Sequence, residues 1–213
     1  MNFTEKFFNH PPHCYLDNFY YFITSHTVRD KVFDSDYKKA FLHSSIIKAL
    51  KKYNYTCQSW VILDNHYQLV VKSNKGESLG KFIRYINGRS ANLFLHDSPH
   101  LVEERELTLN GHLKAFILDS CQQDGNSQGK RGENQVVPAY YNKVWYQYWD
   151  TPLETTEEIW GCINYNHVNP IKHGYVKDLF SLDIYKWSSY NAYLKKYGLE
   201  FMMECFEKFK FEV

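Results

Sequence analysis

The chain has 213 residues, 44% of them hydrophobic and 23% charged, with a formal net charge of +1. That length suits one packed domain with appendages, and that balance excludes a disordered tail protein and a coiled coil. No stretch approaches the roughly 20 apolar residues of a membrane span. The N-terminus lacks a basic region followed by an apolar core, so no secretory signal is expected. The five cysteines, Cys14, Cys57, Cys121, Cys162 and Cys205, are scattered and form no C-x-x-C pair. They read as reduced thiols of a cytoplasmic protein. His10, His13 and Cys14 offer a zinc-type donor group, but no second ligand cluster accompanies them.

In chain order, Phe19–Ser25 is rich in aromatic and β-branched residues and predicts a first strand. Asp34 or Ser35 can cap a helix over 36–53, whose apolar positions Ala40, Phe41, Ile46, Ile47 and Leu50 recur at helical spacing. Asn54 ends it. Strands follow at Thr56–Leu63 and His66–Lys72, joined by a tight turn at Asp64-Asn65. A second helix is expected from Glu77 to Phe94. Residues 97–139, acidic and polar with a Gly-, Gln- and Asn-rich stretch, read as an insertion. Val144–Trp149 returns as a strand. Thr155 and Glu158 form a capping box for a helix that Pro170 should close, since residues before proline avoid the helical region. Trp187-Ser-Ser-Tyr190 and an amphipathic stretch from Tyr193 to Phe211 complete the chain. This order predicts an α+β fold, ferredoxin-like (RRM-like), with an antiparallel sheet and helices packed on one face. An insertion and a C-terminal helical extension are added to that single domain, whose core spans about 18–96 and 140–193.

Charge is uneven. Between Lys38 and Arg89 the cations far outnumber the two acids, Asp64 and Glu77, whereas acids gather later at Asp97, Glu103, Glu104 and Glu106. Lys81, Arg84 and Arg89, at helical spacings, are the candidate phosphate-backbone contacts, against the plain reading of a solvated helix face.

Two constellations carry chemistry. In Trp60-Val-Ile-Leu-Asp-Asn-His-Tyr-Gln-Leu-Val-Val71 strand alternation puts His66 and Gln68 on one face and Tyr67 on the other. Much later, Tyr165 and Asn169 stand at i and i+4, on one face of a helix. A phenol is a poor nucleophile unless its target is activated, and a divalent metal activates a phosphodiester. An imidazole from His66 with amide oxygens from Gln68 and Asn169 suits Mg²⁺ or Mn²⁺ better than structural zinc.

Asn65-His-Tyr-Gln-Leu-Val-Val resembles the Asn-His-x-His-hydrophobic strand of the HUH single-tyrosine transposases, the IS200-like superfamily. Tyr165-Asn-His-Val-Asn-Pro-Ile-Lys-His-Gly174 resembles the tyrosine signature of their REP-associated branch. Trp145-Tyr-Gln-Tyr-Trp-Asp150 and Trp187-Ser-Ser-Tyr190 also match that branch, and the likeness covers roughly 18–96 and 140–193. The resemblance implies a ferredoxin-like nuclease that cleaves single-stranded DNA beside a hairpin through a covalent 5′-phosphotyrosine, as monomer or homodimer. It implies Tyr165 as nucleophile, His66 as a ligand of a divalent metal (Mg²⁺ or Mn²⁺), and Asn169 as the polar group near that metal one turn past the nucleophile. Gln68 departs from the family's usual second histidine, which leaves open an inactive nucleic-acid-binding module on the same fold. His26 and His167 receive no role, and Trp160 and Trp187 are expected in the core.

Overall fold

The computed structural model describes residues 15–96 and 144–210. The 97–139 insertion and the His10, His13, Cys14 group lie outside these residues. Strand β1 (Tyr20–Thr27) leads to helix α1 (Asp36–Tyr53), the hairpin β2 (Thr56–Ile62) and β3 (His66–Lys72), and helix α2 (Leu79–His96). Strand β4 (Trp145–Leu153), helix α3 (Thr156–Lys172) and helix α4 (Tyr190–Lys208) follow. The sheet order is β2-β3-β1-β4 and every pairing is antiparallel, so the ferredoxin-like α+β layout holds.

Local chemistry sets the element ends. The Ser35 side chain caps α1 by accepting from the Lys38 N–H, and Asn54 closes it in the left-handed region at φ 55°. The Thr155–Glu158 capping box starts α3, as its sequence predicts. The β2–β3 turn is tight: the Leu63 N–H donates to the His66 carbonyl at 2.8 Å across Asp64-Asn65.

The two sheet faces divide the molecule. Tyr21, Ile23, Tyr67, Leu69 and Val71 pack with Leu42, Ile46 and Ala49 of α1 and Phe82, Ile83 and Ile86 of α2 in the main core. Each such buried aliphatic side chain contributes about 1.5–3 kcal/mol. The opposite face holds Phe22, Thr24 and His26 of β1 against Val70, Gln68 and His66 of β3. Helix α3 crosses this second face through Ile159, Trp160, Cys162 and Ile163, packed on Val70 and Leu153. Helices therefore cover both faces, two on one and one on the other.

Beyond α3, Trp187-Ser-Ser189 lies along the free edge of β2. The Ile62 N–H donates to the Trp187 carbonyl and the Ser189 N–H to the Trp60 carbonyl, each at 2.9 Å. This pairing blunts an edge that would otherwise present bare backbone groups. Trp187 is buried and donates its indole N–H to Asp36 at 2.7 Å, so it is core, as expected. Trp160 is half-buried among Tyr193, Phe201 and Phe209.

The sequence reading is corrected at Pro170. Helix α3 runs through this proline to Lys172, with His173 as its C-cap. Tertiary bonds hold the turn that precedes the proline: Asn166 donates to Ser59 Oγ at 2.8 Å and Asn169 to Gln68 Oε1 at 2.6 Å. The local preference against helix before proline is outweighed by these buried contacts.

Candidate active site

His66 and Gln68 leave β3 on the face that α3 crosses, and both are buried. The Asn169 amide reaches down from α3, itself fully buried, and its Nδ2 donates to Gln68 Oε1 at 2.6 Å. The hairpin and the helix that carries Tyr165 therefore meet at a direct hydrogen bond between two of the predicted residues. Tyr165 is half-buried one turn back along the helix, about 6 Å along the axis at 1.5 Å per residue. Its ring lies edge-on to Phe22 of β1 at 6.0 Å between centroids, and the Lys172 ammonium sits 4.4 Å from its ring centre.

His66 is prepared as a neutral donor. Its Nδ1 lies 2.7 Å from Asn65 Oδ1, which can only accept at that atom, so the ring proton sits on Nδ1 and the Nε2 lone pair is left over. Burial pushes its pKa down to about 3, assisted by neighbouring His26 and His173, while the Asn169 amide pulls the other way. The imidazole is uncharged at neutral pH, the form that binds a metal. Asn65, next to His66 in sequence, thus orients its imidazole through Nδ1.

The donor set fits a hard divalent ion. The Asn169 amide is fully buried, bonded through Nδ2 to Gln68 and adjoining the His66 ring, so its carbonyl oxygen is a donor held out of water. Three neutral donors leave the ion's charge uncompensated, which suits it to a phosphate. Among the described residues no group of three or more His, Cys, Asp or Glu is disposed to hold a metal, so any site here depends on the two amides.

Three further residues join this face that the sequence reading did not assign. His26 stands opposite His66 in the sheet register and its ring stacks on it at 4.7 Å and 25°. His173, at the end of α3, brings its ring centre to 5.0 Å from that of His66 at 58°. Trp149 of β4 stands edge-on to His26 at 5.6 Å. Only the i+4 step from Asn169 to His173 was available as a sequence signal; the other two depend on strand register.

The cations chosen from sequence lie elsewhere. Lys81 and Arg84 are exposed on α2, which covers the opposite face of the sheet from His66. Arg89 is half-buried, its guanidinium 5.6 Å from the Phe41 ring between α1 and α2. The structure does not bring Lys81, Arg84 or Arg89 to the site, because the charges follow the helical period of α2 while His66 and Gln68 follow the two-residue period of β3. His167 is fully buried with Nε2 3.0 Å from Ser189 Oγ, a structural contact between α3 and the start of α4.

The strand order and the helices on both faces define a ferredoxin-like domain with an added helix across its second face. The family model described as "Transposase IS200 like" matches residues 15–127, more than half of the chain, and the chain belongs to that family. Among solved structures it is similar to a REP-associated tyrosine transposase bound to a REP hairpin. The TM-score is 0.58 at 15% identity, over 88% of this chain and 86% of that one. At that identity the likeness speaks to the fold. A Deinococcus radiodurans R1 protein assigned as a transposase aligns over 53% of this chain and 95% of its own, at 16% identity and a TM-score of 0.34. No curated protein sequence matches the chain. Among the described residues no helix is long and apolar enough to cross a membrane.

Proposed function

We propose that this transposase-family chain is a cytoplasmic single-strand DNA endonuclease and strand transferase, acting as one domain with 97–139 as an insertion. Tyr165 is its nucleophile. The observation that carries this reading is the Asn169–Gln68 hydrogen bond, which ties the helix of the tyrosine to the strand of the histidine. His66, Gln68 and Asn169 would hold Mg²⁺ or Mn²⁺. When bound, such an ion polarises a non-bridging oxygen of the scissile phosphate.

The chain's own residues then do the following. The Tyr165 hydroxyl oxygen attacks phosphorus, and the P–O3′ bond breaks as the O–P bond forms. The phenol proton passes to solvent and the departing 3′ oxygen takes one up. The product is a 5′-phosphotyrosine and a free 3′-hydroxyl, so the bond energy is kept for rejoining to another strand. Lys172, its ammonium 4.4 Å from the phenol ring centre, offers a positive charge to the incoming phosphate. Phe22, Thr24, Gln147 and Trp149, half-buried on the β1–β4 side of the same face, offer a flat floor for a single strand. The similar transposase is bound to a REP hairpin, and a hairpin-flanked DNA strand is the substrate proposed here.

The test is a 3′-labelled, hairpin-flanked oligonucleotide incubated with the protein and Mn²⁺, read as a labelled protein band on a denaturing gel. The wild type should form the adduct and Tyr165→Phe should not. An adduct that persists in Tyr165→Phe removes the residue from this role. Metal-independent binding with no adduct from the wild type would favour a second reading, a non-cleaving nucleic-acid-binding module. That reading draws support from Gln68 and from the aromatic floor.

A further inference from the structure

We infer that His173 supplies a second imidazole to the metal site, in the place that Gln68 leaves to an amide. This rests on the proposed site at His66, Gln68 and Asn169.

A metal about 2.1 Å from an imidazole nitrogen lies about 3.2 Å from the ring centre, so two imidazoles on one ion have centres about 4.5–5.2 Å apart at bond angles of 90–109°. His66 and His173 are 5.0 Å apart between centres, with their planes inclined at 58°. Nitrogen lone pairs lie in the ring plane, and inclined planes allow two of them to meet at one point. His26 is as near, at 4.7 Å, but it lies face to face with His66 at 25°. Its lone pairs run alongside those of His66 rather than toward a common point, which makes it a backing ring and not a donor.

His173 is also held where a ligand needs to be. Tyr165, Asn169 and His173 follow one another at four-residue steps along α3, so nucleophile, amide and imidazole share one stripe. The His173 N–H donates to the Asn169 carbonyl at 3.1 Å, and the chain turns away at Gly174, whose φ of +72° favours glycine. Immediately beyond, the Tyr175 hydroxyl accepts from the Asp64 N–H at 3.2 Å. Asp64 belongs to the hairpin turn just before His66, and it pairs with Lys39 at 2.7 Å while Lys39 lies 5.2 Å from the Tyr175 ring centre. The end of α3 is thereby tied to the turn that presents His66, two residues from each imidazole. The His173 side chain is exposed, so it can rotate onto an ion without breaking a packed contact.

The chemistry explains why such a residue matters. One imidazole with two amide oxygens is a weak set for Mn²⁺, and a second imidazole strengthens it without adding negative charge that would repel DNA.

The experiment uses the full chain without DNA. Mn²⁺ affinity is measured by calorimetry, and the nitrogens bound to Mn²⁺ are counted by pulsed electron paramagnetic resonance. The wild type should show two imidazole nitrogens. His173→Ala should show one and bind Mn²⁺ at least about tenfold more weakly. His26→Phe, which keeps a ring stacked on His66, should retain two nitrogens and bind within about twofold of the wild type. Two nitrogens in His173→Ala, or a loss in His26→Phe in its stead, overturns the inference while leaving the His66 site standing. Wild-type binding that His66→Ala does not weaken overturns the underlying site as well. Circular dichroism of each variant checks that helix α3 is intact.

Discussion

The Gln68–Asn169 pair permits a quantitative test of whether this buried contact exists for stability or for chemistry. Both side chains are nearly inaccessible, and they are joined by a 2.6 Å hydrogen bond. Asn169→Leu leaves the Gln68 amide buried without its partner, and Gln68→Leu does the same to Asn169. Stranding a buried polar group costs about 1–3 kcal/mol. Each single variant should therefore lose about 1–2 kcal/mol, because the apolar burial that the new leucine gains offsets part of the cost. The double variant replaces both amides with apolar groups of similar shape and should lie within about 1 kcal/mol of the wild type. The coupling energy of the cycle is then about 1–4 kcal/mol. In a domain of this size each kcal/mol moves Tm by about 2–4 °C. Urea unfolding followed by tryptophan fluorescence measures all four proteins. Repeating it with millimolar Mn²⁺ should stabilise the wild type by linkage and leave the three variants nearly unchanged. Additive single-variant losses would show that the two amides do not touch. Equal stabilisation of the double variant by Mn²⁺ would place the ion elsewhere.

Two further predictions test neighbouring parts of the molecule. His43, half-buried with its ring 4.4 Å from that of Trp60, has its pKa lowered to about 4 by burial. The unfolded chain then takes up the proton first, so stability is full above about pH 6.5 and falls as pH is lowered toward 4. His43 should account for about 1–2 kcal/mol of the loss between pH 7.5 and 5, and His43→Phe should flatten the urea-measured pH profile by that amount. An unaltered profile would mean the ring is solvated. Trp149 should stack a base of bound DNA, so Trp149→Ala should weaken binding of a fluorescent oligothymidylate by about five- to a hundredfold at fixed salt. A change within twofold, read by anisotropy, would remove Trp149 from the DNA floor.

Much of this architecture is legible in the linear chain because it is dictated locally. The α1 helix has its cap at Ser35 and its stop at Asn54, the β2–β3 hairpin has its turn at Asp64-Asn65, and α3 has the Thr155–Glu158 box. Each is set by side chains within a few residues of the backbone they satisfy. Strand alternation likewise puts His66 and Gln68 on one face, and helical spacing aligns Tyr165 with Asn169. The end of α3 was misread for the same reason: the local rule at Pro170 was sound, but Asn166 and Asn169 are fastened to Ser59 and Gln68, more than a hundred residues away in sequence.

Composition, spacing and motif determined which residue types this protein brings to its chemistry. Which of them meet was decided only by tertiary structure. The pairing of β1 with β3 sets His26 against His66, and the passage of α3 over the second face lowers Asn169 onto Gln68 and carries His173 to His66. The same packing turns Lys81 and Arg84 to the far side, because a sheet separates what a sequence lists side by side. A strand's register and a helix's crossing are fixed by the summed burial of many side chains, and no short stretch of sequence contains that sum.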